Sequence, residues 1–340
     1  MNCLDLKENT FGSFSEEGCY RLVEFGMGTV IEQKVWGRNP EDACLICREV
    51  SSKLKELESA MSFFLPGSYI GKLNAFAGEE QVKVNDELAE VLEKAAVYHK
   101  ITRGAFDITV ARITELWRRH QQLMTVPDKR EIEKLLPLVD GSSVVLDREN
   151  LTAGLLKKGQ ALDLGGIGKG YAADEAKKIY MKMGARAAFV NLGGNVQVLG
   201  EKIGREPWNI GLQHPREERG VNIAVLNVRN RSVVTSGDYE KYFMADGTRY
   251  HHIVDPGSGY PAKSGLMSAT VLTESSMDAD ALSTAAFVLG MERGMDLIEG
   301  FGNTEAVFIT DRREVFVTEG LKDDFYPVKE AGDYKFYVYH

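Results

Sequence analysis

The segment from Ala161 to Asp174 constrains the fold most strongly, because it joins an extended apolar stretch to a helix through a glycine-dense turn. Its sequence is ALDLGGIGKGYAAD. Glycine lacks a Cβ and so lets a ligand approach the backbone. The first turn of the following helix offers unpaired N–H groups and a positive dipole end to an anion, and Lys169 adds a cation there. The segment therefore predicts a phosphate-binding turn between a strand and a helix.

The familiar phosphate motifs match this turn only in part. A P-loop needs Ser or Thr after its lysine, whereas Gly170 follows Lys169 here. Residues 168–173 read GxGxxA, which is half of the dinucleotide fingerprint, but the next apolar run, 187–190, ends in Asn191 instead of an acidic residue. An ordinary nicotinamide site is therefore disfavoured, and the glycines taken alone are equally consistent with a tight connection.

A second segment, 275–286, opens a helix and carries oxygen ligands on one face. Asp280 and Thr284 are four residues apart and so lie on the same side of the helix. A carboxylate and a hydroxyl are ligands that Mg²⁺ takes alongside phosphate oxygens and waters. Considered alone, these residues have a simpler explanation in helix capping by Ser276 or Asp278 and a bond from Thr284 to a carbonyl.

Two histidines lie between these segments, in the stretch YHHIVDPGSGYP at 250–261. A histidine on a strand that enters a tight turn can act as a general base near neutral pH. Either histidine alone is equally well explained as a hydrogen-bonded strand residue beside an Asp-Pro-Gly turn.

Composition narrows the class of protein. The 340 residues suffice for one large domain or two closely joined lobes. The net charge of −9 argues against nucleic acid as a partner, and no apolar run reaches the length of a membrane span. Without a signal-peptide pattern the expected location is cytoplasmic, or periplasmic or lipid-anchored if a leader was removed before Cys3. Cys44 and Cys47 have CxxC spacing but are predicted to be buried helix cysteines, not a metal site.

The periodicity predicts an α+β fold in which the strands are largely antiparallel. A strand pair is expected over 20–36, and strands dominate from 143 onward. Helices are expected at 40–61, 85–102, 111–122, 129–136, 169–182 and 279–299, the last broken near Gly290. The predicted division is an arm at 1–20, a domain at 21–320 that is helix-rich over 38–140 and strand-rich over 141–320, and a tail at 321–340.

Several motifs in the same order resemble the ApbE family of FAD:protein FMN transferases. After the glycine segment come NLGGN at 191–195, the histidine stretch, and DADALSTAAFVLG at 278–290. The first half agrees, with FGMGT at 25–29, SYI at 68–70 followed by LN at 73–74, and GAFDIT at 104–109. The resemblance extends from about residue 22 to 318, and it implies an ApbE-like fold of antiparallel strands with flanking helices.

The resemblance implies an enzyme that binds FAD with Mg²⁺, places FMN on a Ser or Thr of an acceptor flavoprotein and releases AMP. The acceptor is expected to carry an Asp-Gly/Ala-x-Ser/Thr-x-Ala-Thr segment. Asp280 and Thr284 match metal ligands, as does the main-chain carbonyl of Gly168, where many relatives carry alanine. His252 matches the catalytic base, and Asp280 is counted with it. The positions expected to contact FAD are Met27, Phe64, Ala105, Phe106, Asp107, Lys169, Tyr171 and Ile253.

Two other functions remain open from the sequence. The same site could hydrolyse FAD to FMN and AMP, with water in place of the acceptor hydroxyl, and Asp255 is a second candidate base. The chain could instead be a non-catalytic FAD-binding protein, although such a protein has no need of Asp280, Thr284 and His252 together.

Overall fold

The computed structural model describes residues 10–14, 19–202, 204 and 206–339. Cys3 and most of the predicted N-terminal arm lie outside this part of the chain. No helix among these residues has the length and apolarity needed to cross a membrane.

The predicted helices are present, and the structure has one further short helix, Tyr69–Ala75, which the sequence pattern did not predict. The described α-helices are α1 (Pro40–Met61), α2 (Tyr69–Ala75), α3 (Asp86–Ile101), α4 (Ala111–Leu123), α5 (Lys129–Leu135), α6 (Gly168–Lys182), α7 (Ser276–Leu289) and α8 (Met291–Glu299). Local signals set their ends. Asn39 caps α1 by accepting a hydrogen bond from the Asp42 N–H at 2.8 Å. The break between α7 and α8 falls at Gly290, whose φ of 83° favours glycine.

Among the described residues, the strands form one large sheet and three small ones. The strands are β1 (Phe11–Phe14), β2 (Tyr20–Gly26), β3 (Thr29–Trp36), β4 (Val82–Lys83), β5 (Val144–Asp147), β6 (Thr152–Leu155), β7 (Ala187–Leu192), β8 (Asn195–Leu199), β9 (Trp208–Gln213), β10 (Asn222–Val228), β11 (Ser232–Gly237), β12 (Tyr242–Ala245), β13 (Thr248–His251), β14 (Leu266–Thr273), β15 (Glu305–Thr310), β16 (Glu314–Thr318), β17 (Phe325–Pro327) and β18 (Lys335–Tyr339). The large sheet has the order β1-β2-β3-β7-β8-β11-β14-β15-β16-β18. Its neighbouring strands are antiparallel except β16 and β18, so the α+β class with largely antiparallel strands is confirmed.

The segment predicted as a C-terminal tail, 321–340, contributes two of these strands. β18 lies parallel to β16 at one edge of the large sheet, and β17 pairs with β10 in a small sheet. Both strands of this segment therefore pair with strands of the preceding domain, and the segment is part of the same sheets. The separation of the helix-rich part from the strand-rich part stays a prediction.

Three hydrophobic clusters fill the fold. The largest joins α1, α3, α6 and α7 to one face of the large sheet, and the second lies between the other face and the sheet of β9, β10 and β17. Val233 and Val234 of β11 enter different clusters, because successive side chains of a strand point to opposite faces. A third cluster packs α4 and α5 against the hairpin of β12 and β13. Cys44 and Cys47 are buried on α1, as predicted.

A very close helix contact lies between α6 and α7, at Gly170. A Cβ at this position would stand 2.4 Å from the Ser276 carbonyl oxygen and 2.6 Å from the Met277 Cα, so only glycine fits. One turn further along α6, Asp174 accepts hydrogen bonds from the N–H groups of Ser276 and Met277 at 2.7 and 2.9 Å. A carboxylate at a helix N-terminus satisfies unpaired donors and complements the dipole. The two helices are thus held at a fixed distance and offset.

We predict that Gly170→Ala destabilises the protein by roughly 1–3 kcal/mol or more, since the added methyl group overpacks a contact between two backbones. Urea unfolding followed by circular dichroism measures the change. Gly168→Ala is the matched control, because a Cβ there would lie 3.5 Å from its nearest neighbour, the Leu164 Cβ. Equal stability of the two variants would contradict the proposed role of Gly170.

Candidate functional site

The extended start of the glycine segment is fixed by Asn74, which lies in the last turn of α2. The Asn74 side chain accepts a hydrogen bond from the Leu162 N–H at 2.7 Å and donates one to the Leu162 carbonyl at 3.2 Å. The next residue, Asp163, donates its N–H to the Ile108 carbonyl at 2.8 Å. Three motifs that lie far apart in sequence, at 73–74, 104–109 and 161–174, therefore meet at one place.

The turn itself is shaped by its own polar groups. Asp163 accepts a hydrogen bond from the Gly165 N–H at 2.8 Å, and Lys169 Nζ donates to the Gly165 carbonyl at 2.7 Å. At the start of α6, Ile167 provides no side-chain cap. The turn thus presents a helix N-terminus that has no side-chain cap from Ile167 and has a lysine beside it, although the Gly168 N–H already donates to the Leu164 carbonyl at 2.7 Å. A helix start with an adjacent cation can bind an anion.

Asp280 of α7 reaches the first turn of α6 through the close contact at Gly170. Its carboxylate accepts a hydrogen bond from the Gly170 N–H at 2.9 Å, and Lys169 Nζ lies 3.8 Å from its other oxygen. Asp280 is only 3% exposed, and this burial raises its pKa, against the opposing effects of Lys169 and of the Gly170 N–H. A buried carboxylate whose nearest cation stands at 3.8 Å is suited to receive a second cation.

Thr284 lies one helical turn beyond Asp280 and contacts the glycine turn. A Cβ at Gly166 would stand 3.2 Å from Thr284 Oγ1, and Ser236 Oγ lies 3.3 Å from the same oxygen. This contact is made by Gly166, while Gly168 begins α6 two residues later. Within the described ranges no three His, Cys, Asp or Glu side chains converge to hold a metal. A cation here would therefore depend on Asp280 together with neutral oxygens.

His252 follows β13 directly and is held by the main chain of Lys241. The main-chain N–H of His252 donates to the Lys241 carbonyl at 3.0 Å, and the ring Nδ1 of His252 lies 3.3 Å from the same oxygen. Because a carbonyl only accepts, this contact places the hydrogen on Nδ1 and leaves the Nε2 lone pair free. His251, by contrast, is buried, with its Nε2 at 3.0 Å from the Ala262 carbonyl. Of the two histidines, only His252 is an exposed residue.

The pKa of His252 is lowered. Desolvation by the surrounding protein is the largest cause, and the positive charges of Lys241 and Lys169 act in the same direction. His252 is nevertheless exposed at the protein surface. The effect of Lys169 on its pKa places the histidine near the glycine turn, and the neutral imidazole at pH 7 is able to accept a proton.

The predicted FAD-contacting residues lie in several different environments. Met27 forms the two-residue turn between β2 and β3 with Gly28, and both have positive φ, as a type I′ turn requires. The Phe64 ring is 69% exposed, whereas Ile253, next to His252, is buried. Lys169 lies at the turn, as predicted. The structure therefore brings Lys169, Asp280 and Thr284 together, with His252 near them.

The segment Ala105–Asp107 packs against the glycine turn at Gly166. Phe106 is buried, and a Cβ at Gly166 would stand 3.2 Å from its ring. Asp107 accepts hydrogen bonds from the N–H groups of Thr109 and Gly141 at 2.7 and 2.9 Å, and its carboxylate lies 3.1 Å from His99 Nδ1. These contacts occupy the carboxylate of Asp107 and fix the loop that precedes α4.

Tyr171 lies inside the core. Its ring is buried, and its hydroxyl faces Glu90 of α3 at 3.4 Å. Its side chain thus joins α6 to α3, and a contact of Tyr171 with FAD stays a prediction.

Residue patterns did not single out several polar groups of this site, among them Asp163, Asp174 and Ser236. The first two are the acidic residues inside the glycine segment itself. Their position at the two ends of a glycine-rich turn is the signal that could have identified them.

Comparison with known proteins gives consistent results. Residues 27–308 match the sequence model of the ApbE family. The "FAD:protein FMN transferase" of Treponema pallidum is 34% identical over 89% of this chain and 88% of its own length. That of Klebsiella pneumoniae is 33% identical over 92% and 96%.

Solved structures agree with the fold. The crystal structure of an ApbE protein from Thermotoga maritima has a TM-score of 0.82 and 34% identity, covering 90% of this chain and 99% of its own. The apo form of the flavinyl transferase ApbE of Pseudomonas stutzeri has a TM-score of 0.74 and 26% identity, covering 90% and 93%.

Proposed function

The chain belongs to the ApbE family, and on that premise we propose that it transfers FMN from FAD to a hydroxyl of an acceptor flavoprotein and releases AMP. The observation that carries this proposal is the meeting of Asp280, Lys169 and Thr284 at the start of α6. This arrangement joins a cation site to a phosphate site, and a pyrophosphate with a divalent metal is the ligand that requires both.

Mg²⁺ is the metal that suits this donor set, because a carboxylate, a hydroxyl and a main-chain carbonyl are all hard oxygen ligands. Asp280 and Thr284 would hold it, with the carbonyl of Gly168 as the third protein ligand that the family resemblance implies. When bound, Mg²⁺ neutralises charge on the pyrophosphate oxygens and stabilises the departing phosphate.

The residues of the chain supply the remaining steps. Lys169 and the N-terminus of α6 bind the pyrophosphate and orient the FMN phosphorus. The acceptor hydroxyl forms a new P–O bond with this phosphorus, while the P–O bond to AMP breaks. His252 Nε2 takes the hydroxyl proton as the bond forms. The acceptor is a Ser or Thr in an Asp-Gly/Ala-x-Ser/Thr-x-Ala-Thr segment of a flavoprotein.

The transfer itself is tested by mass spectrometry of an acceptor peptide of this type, incubated with the protein, FAD and Mg²⁺. We expect the peptide to gain one FMN on its Ser or Thr, and the gain to be lost with EDTA. Free FMN and AMP beside an unmodified peptide would indicate hydrolysis instead, and no consumption of FAD would indicate a binding protein.

We predict that Asp280→Ala lowers Mg²⁺-dependent transfer by more than about 100-fold, since it removes the only charged ligand of the proposed metal site. Initial rates across a range of Mg²⁺ concentrations measure the effect. Asp278→Ala is the matched control on the same helix, because the Asp278 carboxylate pairs with Lys94 of α3. Normal Mg²⁺ dependence in Asp280→Ala would refute the assignment.

We predict that the rate of transfer stays constant as the pH falls from 8 to 6.5. The lowered pKa of His252 keeps its imidazole neutral over this range, so the base is lost only at lower pH. The measurement is kcat/KM for FAD against pH. His252→Ala should bind FAD normally and be slower by about 10²–10⁴-fold. A fall in rate centred at pH 6.5 or above that is absent in His252→Ala would contradict this role.

A further inference from the structure

An aromatic pair lies next to α4 beside an arginine, and its outer member, Phe64, is exposed whereas Phe63 is partly buried against the core. Phe63 and Phe64 follow the end of α1 and pack edge to face, with ring centroids 5.4 Å apart. The Arg118 guanidinium lies 4.8 Å from the Phe64 centroid and 5.8 Å from the Phe63 centroid. Both distances are in the range of cation–π contacts. The guanidinium therefore covers part of the exposed Phe64 ring and contacts the partly buried Phe63 ring.

The contact leaves much of the Phe64 ring open. Phe64 is 69% exposed even with Arg118 beside it. A single exposed aromatic residue is common on protein surfaces, so the case for a binding surface here rests on the polar groups beside it. Flat ring systems stack on aromatic faces. Phe64 thus offers an aromatic surface for a flat ligand, supported by a planar cation.

The same arginine extends toward the glycine turn. Arg118 Nη2 lies 4.0 Å from Asp163 Oδ2, and the other oxygen of Asp163 accepts the Gly165 N–H at 2.8 Å. One side chain therefore contacts the aromatic pair and faces the carboxylate that shapes the turn. At 4.0 Å the ion pair is loose and partly exposed, so it contributes little by itself.

We propose that Arg118 is a positioning residue for FAD, which fixes the Phe64 ring as a stacking surface in register with the pyrophosphate-binding turn. This inference rests on the proposed function, because it takes FAD as the ligand that spans both places. Arg118 does not touch the reacting atoms in this account. It preorganises two distant parts of the binding site, so its loss weakens binding without slowing the chemical step.

The test compares FAD affinity with turnover in Arg118→Gln. FAD binding is followed by flavin fluorescence without Mg²⁺, and transfer is followed at saturating FAD with Mg²⁺. We expect the Kd for FAD to rise about 2- to 30-fold, the range that a cation–π contact supplies. We expect kcat to stay within about twofold. Arg119→Gln is the matched control, since the neighbouring Arg119 is exposed and pairs with Glu131 of α5.

Two further variants separate stacking from charge. Arg118→Lys keeps the charge near Asp163 but loses the planar guanidinium, so it should not restore the affinity. Phe64→Leu should weaken FAD binding in the wild-type background and add little in Arg118→Gln, because both changes remove the same contact. Melting temperatures of all variants check that the fold is intact.

The outcomes distinguish this inference from the proposed function. Wild-type affinity in Arg118→Gln, full rescue by Arg118→Lys, or additive effects of the two changes would overturn the positioning role alone. Failure of the wild-type protein to bind FAD would overturn both. A matched fall in kcat and affinity would contradict the claim that Arg118 acts only on binding.

Discussion

The contact between α6 and α7 at Gly170 is the constraint on which the site depends. The absent side chain lets the backbone of α7 approach α6 so closely that Asp280 accepts a hydrogen bond from the Gly170 N–H. Asp174, a residue of α6, accepts hydrogen bonds from the first N–H groups of α7 and so fixes how far the two helices are shifted along each other. A carboxylate and a helix N-terminus are brought together in this way, although burial raises the pKa of Asp280 and so disfavours its charge.

A second junction fixes the other end of the same segment. Asn74 binds both backbone groups of Leu162, and Asp163 is tied to Ile108. The glycine turn is therefore anchored before and after its glycine residues, which limits the entropy that ligand binding would otherwise cost. Positive charge from Lys169 acts on both sides of the turn: it opposes the raised pKa of Asp280 and lowers the pKa of His252. One lysine thus favours an ionised ligand residue and a neutral base.

Local signals in the sequence predicted much of the fold, and non-local pairing accounts for the rest. Asn39 and Pro40 mark the start of α1, and Gly290 marks the break between α7 and α8, because capping and positive φ are properties of a few adjacent residues. The pairing of β18 with β16 depends on a distant strand and has no local signature. The same limit applies to the site. Periodicity could place Asp280 and Thr284 on one face, but not show that Gly166 contacts Thr284 or that Tyr171 faces the core.

The central claim is that the α6–α7 contact builds one site for a divalent cation and a pyrophosphate. The most direct test is a crystal structure with FAD and Mn²⁺, in which anomalous scattering locates the metal. We expect an anomalous peak about 2 Å from an Asp280 oxygen and from Thr284 Oγ1, the distance usual for small divalent ions, with the pyrophosphate at the start of α6. A peak away from Asp280, or a pyrophosphate bound elsewhere, would contradict it.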